Sequence, residues 1–163
     1  MKSYLRLYPA VITAFILMLS LAACNPATQV KATEKAAGPS LYDRLGGVYA
    51  IATVVDDFIE RLLVNDTLNA NPAIKAAREH VPKSGLKYQV TTFVCLATGG
   101  PCHYTGRTMK STHAHLNIAE QEWQAMAAEF KKSLDKFKVP QREQDELFAL
   151  VGTTKGDIVV SAR

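Results

Sequence analysis

The residues best suited to chemistry lie between Gly99 and Leu116, where a glycine-rich break precedes a short helical pattern. Met109, His113 and Leu116 are spaced i, i+4 and i+7, which places all three on one helix face. An imidazole among apolar neighbours, with no carboxylate nearby, suits a proximal haem ligand, because the ring nitrogen binds iron while apolar side chains hold the flat macrocycle. The alternative is a core histidine that packs without a ligand. We therefore predict that His113 ligates haem iron.

The other histidines are weaker candidates for iron ligation. His115 lies two residues after His113 and is rotated by about 200° on a helix, so the two cannot face one iron atom. His115 with His103 or Cys102 is an alternative zinc-binding set, which requires the segment to be extended. His80, beside Val81 and Pro82, is predicted to lie in a surface loop.

The elements that must position these residues are predicted to be helices, since four long helical patterns stand out and no strand does. The first covers residues 51–63, and the second follows Pro82 and ends at Gly99. The third is predicted to begin with a capping box formed by Asn117 and Glu120. The fourth begins near Pro140, and residues 65–72 read as a polar loop. A four-helix bundle is one alternative, but two Gly-Gly breaks favour helices that cross around an enclosed ligand.

The N-terminal residues are predicted to be an export signal rather than part of the fold. Lys2 and Arg6 precede a nearly continuous apolar run from Ala10 to Leu21, which is too short for a membrane span. Leu-Ala-Ala-Cys then resembles a bacterial lipoprotein box, in which Cys24 is acylated. The alternative is an ordinary signal peptide cut after Ala23. The predicted organisation is a signal peptide at 1–23, a lipidated cysteine and tether at 24–39, and one domain at 40–163.

Composition narrows the function classes further. Of 19 Lys and Arg residues, two lie in the signal, which leaves 17 against 15 Asp and Glu. This near balance, without a basic run interleaved with aromatics, gives no indication of nucleic-acid binding. Cys95 and Cys102 form an even pair in an exported protein, so we predict a disulfide between them.

The order of motifs resembles the group I truncated haemoglobins. The matching segments are Ser-Leu-Tyr-Asp-Arg-Leu-Gly-Gly (40–47), Val-Asp-Asp-Phe-Ile-Glu-Arg-Leu (55–62), Gln89 before Val90 and Phe93, Gly-Gly-Pro (99–101), Tyr-Thr-Gly-Arg-x-Met-Lys-x-x-His (104–113) and the Val-Pro at 139–140. The resemblance implies an all-α, two-over-two helical sandwich around haem b. It also implies that His113 is the iron ligand.

The same resemblance suggests roles for other residues. Phe58 would pack on the distal haem face, Met109 and Phe93 would contact the macrocycle, and Tyr104 and Lys110 would meet the propionates. Gln89 lies in the second predicted helix, close to its apolar stripe. It is either a distal hydrogen-bond donor to a bound diatomic ligand or a residue at the edge of that stripe whose amide reaches solvent.

The chain also departs from the pattern of this family. Many members carry Phe-Tyr where this chain has Phe58 and Ile59, so the hydroxyl that hydrogen-bonds bound oxygen is missing. Where some relatives offer a second histidine to iron, this chain has Tyr88, which is expected at the surface or the propionate edge.

Three function classes follow. The first is an envelope haem protein that binds oxygen, nitric oxide or carbon monoxide, with nitric oxide dioxygenase-like or peroxidase-like turnover if an unknown reductase supplies electrons. The second is a non-enzymatic haem-based sensor or haem-holding lipoprotein, and the third is a haem-free helical lipoprotein. The predicted location is the bacterial cell envelope, with a lipid anchor and the domain facing the periplasm. No flavin or nicotinamide motif occurs in the chain, so an enzyme requires an external electron donor.

Overall fold

The computed structural model describes residues 38–160, and within this range it is helical. The predicted signal peptide, Cys24 and most of the tether lie outside the described residues. In chain order the helices are α1 (Leu41–Arg44), α2 (Gly47–Val64), α3 (Asp66–Asn69), α4 (Pro72–His80), α5 (Lys83–Ala97), α6 (Met109–His113), α7 (Glu120–Lys136), α8 (Gln141–Thr153) and α9 (Lys155–Ile158). In the described residues no helix has both the length and the apolar character needed to cross a membrane.

The core forms where α2 packs against α5 on one side and α7 on the other. A ladder of three aromatic rings ties α2, α7 and α8 together: the ring centroids of Phe58 and Phe130 are 5.2 Å apart, and those of Phe130 and Phe148 are 5.3 Å apart. Such tilted contacts are the preferred geometry for aromatic pairs. The predicted all-α, two-over-two arrangement is confirmed.

Two glycine positions set the path of the chain around this core. Gly46 and Gly47 have φ values of 87° and 80°, a left-handed conformation that lets α2 begin immediately after α1. Gly100 is required for a different reason: a Cβ there would lie 2.4 Å from Cδ2 of Tyr42 and 2.7 Å from Sγ of Cys95. Both paired-glycine breaks are therefore structural necessities.

The region between α2 and α5 differs from the prediction. Residues 65–72 were expected to form a polar loop, but they contain α3 and the beginning of α4. Asn65 caps α3 by accepting a hydrogen bond from the amide of Leu68, and Asn71 caps α4 in the same way. α4 is short and buries no residue, and Ile74 is its only large apolar side chain, so it lacks the core-facing stripe that marks the longer helices.

The predicted capping box at Asn117 and Glu120 is wrong by two residues. Asn117 has a φ of 50°, a left-handed conformation that asparagine tolerates. The helix begins at Glu120 with Ala119 as its N-cap, and the Glu122 carboxylate accepts a hydrogen bond from the Ala119 amide at 2.8 Å. Ile118 is instead used in an isolated parallel bridge with Val159.

Candidate functional site

His113 is the last residue of α6, and its ring is held in one orientation. Its Nδ1 atom lies 2.8 Å from the carbonyl oxygen of Met109, one turn earlier. A carbonyl can only accept, so in the neutral ring Nδ1 carries the proton and Nε2 keeps its lone pair. A backbone hydrogen bond of this kind is how proteins orient a metal-ligating histidine. The side chain that the sequence singles out is therefore presented as a one-nitrogen ligand.

The apolar face around His113 is only half-buried. Met109, His113 and Leu116 are each intermediate in exposure, and α6 has no fully buried residue. Within the described residues α6 packs mainly against α9, whereas α5 packs mainly against α2. An apolar stripe that its own protein leaves partly uncovered is suited to an apolar cofactor face.

The helix α5 carries a second apolar face that is only half-buried. Its most buried residues are Thr91, Thr92 and Cys95, whereas Leu86, Val90 and Phe93 are half-buried. Thr92 can face the interior because its hydroxyl donates to the carbonyl of Gln89 at 3.1 Å. Leu86 and Val90 also contact the buried core, which leaves Phe93 as the half-buried apolar residue of this face that lies outside the core.

Gln89 belongs to this half-buried stripe, and its amide is unpaired. The side-chain oxygen Oε1 is buried and has no hydrogen-bond partner among the described residues. Leaving such an atom unpaired costs about 1–3 kcal/mol, and a water molecule or a ligand can supply the missing partner. The amide plane can also rotate by 180°, which would present the Nε2 donor in the same direction.

The remaining predicted site residues lie in different parts of the structure. Phe93 and Tyr104 meet edge to face with centroids 5.5 Å apart, which joins α5 to the segment before α6. The Tyr104 hydroxyl donates to the Arg107 carbonyl at 2.9 Å, so its proton is committed to the loop and not free for a propionate. Lys110 is exposed. Phe58 lies in the aromatic ladder of the core rather than in the Phe93–Tyr104 pair.

The alternative metal site is not supported by the structure. His80, His103 and His115 are exposed, and no group of three or more potential metal-ligating side chains forms within residues 38–160. Tyr88 has 59% of its surface exposed, which agrees with the surface position expected for it.

A disulfide joins Cys95, near the end of α5, to Cys102, just after the glycine break. Cys95 is fully buried, and its carbonyl accepts a hydrogen bond from the Gly100 amide at 2.8 Å. Residues 96–101 are thus closed into a small covalent loop at the point where the chain leaves α5 and approaches α6.

Sequence comparison places this geometry in a known family. The profile described as "Bacterial-like globin" matches residues 40–160, which is most of the chain. The chain belongs to the bacterial-like globin family. This globin is 28% identical over 125 residues to the group 1 truncated hemoglobin GlbN of Mycolicibacterium paratuberculosis, covering 77% of this chain and 88% of that protein. It is 29% identical over 117 residues to GlbN of Synechocystis, covering 69% and 90%.

Solved structures support the fold of this globin. The truncated hemoglobin from Tetrahymena pyriformis, in its Fe(III) form, superposes with a TM-score of 0.63 at 22% identity, covering 76% of this chain and 100% of that one. The 2/2 hemoglobin from Synechococcus, in the cyanomet state with covalently attached heme, gives a TM-score of 0.61 at 24% identity, covering 74% and 98%.

Haem with its iron is the cofactor of this family, and the residues present fit it. His113 offers one free ring nitrogen, α5 and α6 offer half-buried apolar faces, and the orphaned Gln89 oxygen offers a polar contact. From the sequence alone, His113, Met109 and Phe93 are predicted to contact haem, and these remain predictions. The sequence could not show that the amide of Gln89 lacks a partner, because that depends on everything packed around it.

Proposed function

We propose that this globin binds a diatomic ligand, oxygen or nitric oxide, at a haem b group held by His113, with Gln89 as the polar contact for that ligand. The observation that carries the proposal is the buried, unpaired Oε1 atom of Gln89 on the half-buried face of α5. Haem, when bound, supplies the coordination position at which the diatomic ligand is held. Everything else is contributed by side chains of the chain.

His113 orients and holds the group from one side. Its Nδ1–H bond to the Met109 carbonyl fixes the tautomer and the ring plane, so Nε2 need not reorganise to act as a ligand. Met109 lies one turn before His113 in α6, and Leu116 lies in the turn that follows this helix, so apolar side chains precede and follow the ring along the chain. Phe93 of α5 offers a further apolar surface, and its edge contact with Tyr104 joins α5 to the segment before α6.

Gln89 discriminates between ligands by charge. The amide of Gln89 would stabilise a ligand that carries partial negative charge, as oxygen held by haem iron would, more than carbon monoxide, which would carry little. Charge-assisted hydrogen bonds contribute about 1.5–3 kcal/mol, which is roughly ten- to a hundredfold in dissociation rate. Many relatives carry a hydroxyl donor at the position that Ile59 occupies in this chain. Ile59 is buried and aliphatic and cannot donate a hydrogen bond, so Gln89 is the candidate donor.

We propose further that the protein acts at the bacterial envelope, with Cys24 as the lipid attachment point and the domain facing the periplasm. This is supported by the sequence of residues 1–24, which lies outside the described residues. Turnover of nitric oxide, a finer form of the same proposal, requires electrons from a separate reductase.

The test compares Gln89→Leu with Tyr88→Phe, a matched change at an exposed neighbour on the same helix. Both variants and the parent are prepared with haem, and dissociation of oxygen and carbon monoxide is followed by stopped-flow spectroscopy. Gln89→Leu is expected to release oxygen about tenfold faster and carbon monoxide at nearly the parental rate, while Tyr88→Phe changes neither rate. Equal changes for the two gases, or no change in Gln89→Leu, would contradict the role of Gln89. A parent protein without a Soret band would contradict the proposed function itself.

A further inference from the structure

Charged residues are divided unevenly along the described chain. Residues 70–116, which contain α4, α5 and α6, hold six Lys and Arg residues and one acid, Glu79, a surplus of five positive charges. The rest of the described chain, 38–69 and 117–160, holds eight Lys and Arg residues against thirteen acids, a surplus of five negative charges. The two surpluses cancel, so the net charge of the described residues does not show how unevenly the charges are distributed along the chain. The positive half is the one that carries His113 and Gln89.

The basic residues of the two halves also differ in their partners. Nearly all those outside 70–116 form ion pairs with carboxylates: Arg44, Arg61, Lys131, Lys132, Lys136, Arg142 and Lys155. Inside 70–116, Lys83 and Lys87 are paired with Glu60 of α2. The other four, Lys75, Arg78, Arg107 and Lys110, have no carboxylate partner among residues 38–160. Their charge is therefore available to another molecule.

Three of these four are exposed and belong to segments that lie next to the site. Arg107 and Lys110 flank the beginning of α6, and Lys75 lies on α4. The start of α4 is held beside the turn that follows α6, because the Asn71 side chain donates to the carbonyl of Leu116 at 3.0 Å. We call Lys75, Arg107 and Lys110 the basic rim. Arg78 is excluded, since it is half-buried and donates to the carbonyls of Leu62 and Leu63.

The basic rim exceeds what haem itself would neutralise. The rim holds three positive charges, and the two propionates of a haem b group would leave one of them uncompensated, since Lys83 and Lys87 are already paired with carboxylates of α2. A surface of one sign beside the site raises the rate of encounter with oppositely charged molecules and selects among them. The chain has no flavin or nicotinamide motif of its own, so an electron for ferric haem must come from outside and enter where the site meets the surface.

We infer that the basic rim docks an acidic one-electron donor protein beside the haem, an inference that rests on the proposed function. In the step, one electron leaves the reduced centre of the donor and reduces ferric iron to ferrous iron. No bond is made or broken and no proton is transferred. The role of the rim is to hold the donor in an orientation that brings the two redox centres close.

The experiment uses the haem-loaded mature protein and, as probe, an acidic plant-type [2Fe–2S] ferredoxin. Binding is titrated with both proteins oxidised, which needs no turnover, and reduction of the ferric protein by reduced ferredoxin is then timed in single turnover. The test variant is Lys75→Gln/Arg107→Gln, which keeps Lys110 because that residue is expected at the haem propionates. The control, Lys131→Gln/Arg142→Gln, removes one lysine and one arginine from the negative half.

The rim variant is expected to bind ferredoxin at least about tenfold more weakly at low ionic strength, and the difference should vanish as salt screens the charges. The control should bind within about twofold of the parent. Reduction by dithionite, a small molecule, should be equal in all three proteins. Equal weakening in rim and control variants, or rim-dependent binding to vesicles containing anionic lipid without rim-dependent binding to ferredoxin, would overturn the inference. A normal Soret band in that case would leave the proposed function intact, whereas its absence from the parent would overturn both.

Discussion

The rings of Phe93 and Tyr104 meet edge to face. Cys95, two residues after Phe93, is joined by a disulfide to Cys102, two residues before Tyr104. The covalent bond and the aromatic contact therefore brace the same junction between α5 and the approach to α6. A wall of the candidate site is thus built from two residues whose separation is limited by the bridge.

Loss of the disulfide is expected to destabilise the domain. The double variant Cys95→Ala/Cys102→Ser should lower the free energy of unfolding by about 2–3 kcal/mol, since the unfolded chain is no longer closed into a loop. Haem should also leave faster, because the Phe93–Tyr104 wall is less constrained. Denaturant titration and haem transfer to an acceptor globin measure the two effects. Two free thiols in the mass of the unreduced mature protein would contradict the bridge.

His113→Ala should abolish or strongly weaken haem binding, because it removes the one ring nitrogen that the Met109 carbonyl orients. His115→Ala and His103→Ala are matched controls at exposed histidines on the same segment, and both should keep the Soret band. Titration of the apo-proteins with hemin distinguishes them. If His115→Ala loses haem while His113→Ala keeps it, the assignment is wrong.

Ile59→Tyr should slow oxygen dissociation by several-fold, because it restores a hydroxyl donor at the position that carries one in many relatives. Ile59 is only 1% exposed, so a larger ring also disturbs packing. Ile59→Phe controls for this, since it adds the ring without the hydroxyl. The measurement is the stopped-flow oxygen dissociation rate, and equal rates in the two variants would mean that this position does not face the ligand.

Acid should weaken the contact between α2 and α7 through Asp57. Burial would raise the pKa of Asp57, but hydrogen bonds from Lys136, Arg61 and Ser133 outweigh it and lower the pKa from 3.8 to about 2. A lowered folded-state pKa gives stability that is complete above about pH 4 and is lost as the pH falls towards 2. Asp57→Asn should remove about 1–2 kcal/mol at neutral pH and flatten this part of the stability profile. Asp66→Asn, at an exposed aspartate, should retain the parental profile in denaturant titrations at each pH.

Cys24→Ser tests the predicted anchor. If Cys24 carries lipid, its replacement should release the protein from the membrane fraction or block removal of the signal, since acyl chains provide the attachment. Fractionation and the mass of the mature N-terminus report the result. A freely soluble native protein with an unmodified Cys24 thiol would contradict the anchor.

Periodicity in the sequence predicted the long helices because each buries an apolar face. It did not show which residues of α5 would be buried most deeply. Leu86 and Val90 contact the core but stay half-buried, as does Phe93, whereas the most buried positions are Thr91, Thr92 and Cys95. An apolar stripe that faces a cofactor and one that faces a neighbouring helix have the same spacing, so only packing separates them.

Polar interactions explain the other differences. Asn117 had the spacing of a helix cap, but its left-handed backbone and the bridge of Ile118 to Val159 moved the start of α7 by two residues. The unpaired amide of Gln89 was likewise beyond prediction, because the absence of a partner depends on every neighbouring side chain.

The helix α4 is secured by polar side chains at its two ends rather than by burial. Asn71 ties its start to the carbonyl of Leu116, and Arg78 ties its last turn to the carbonyls of Leu62 and Leu63. Breaking these few hydrogen bonds would free α4 without exposing core residues, so its amides should exchange with solvent by a local opening far less costly than global unfolding. In this globin α4 is therefore expected to detach and return while the rest of the described domain stays folded.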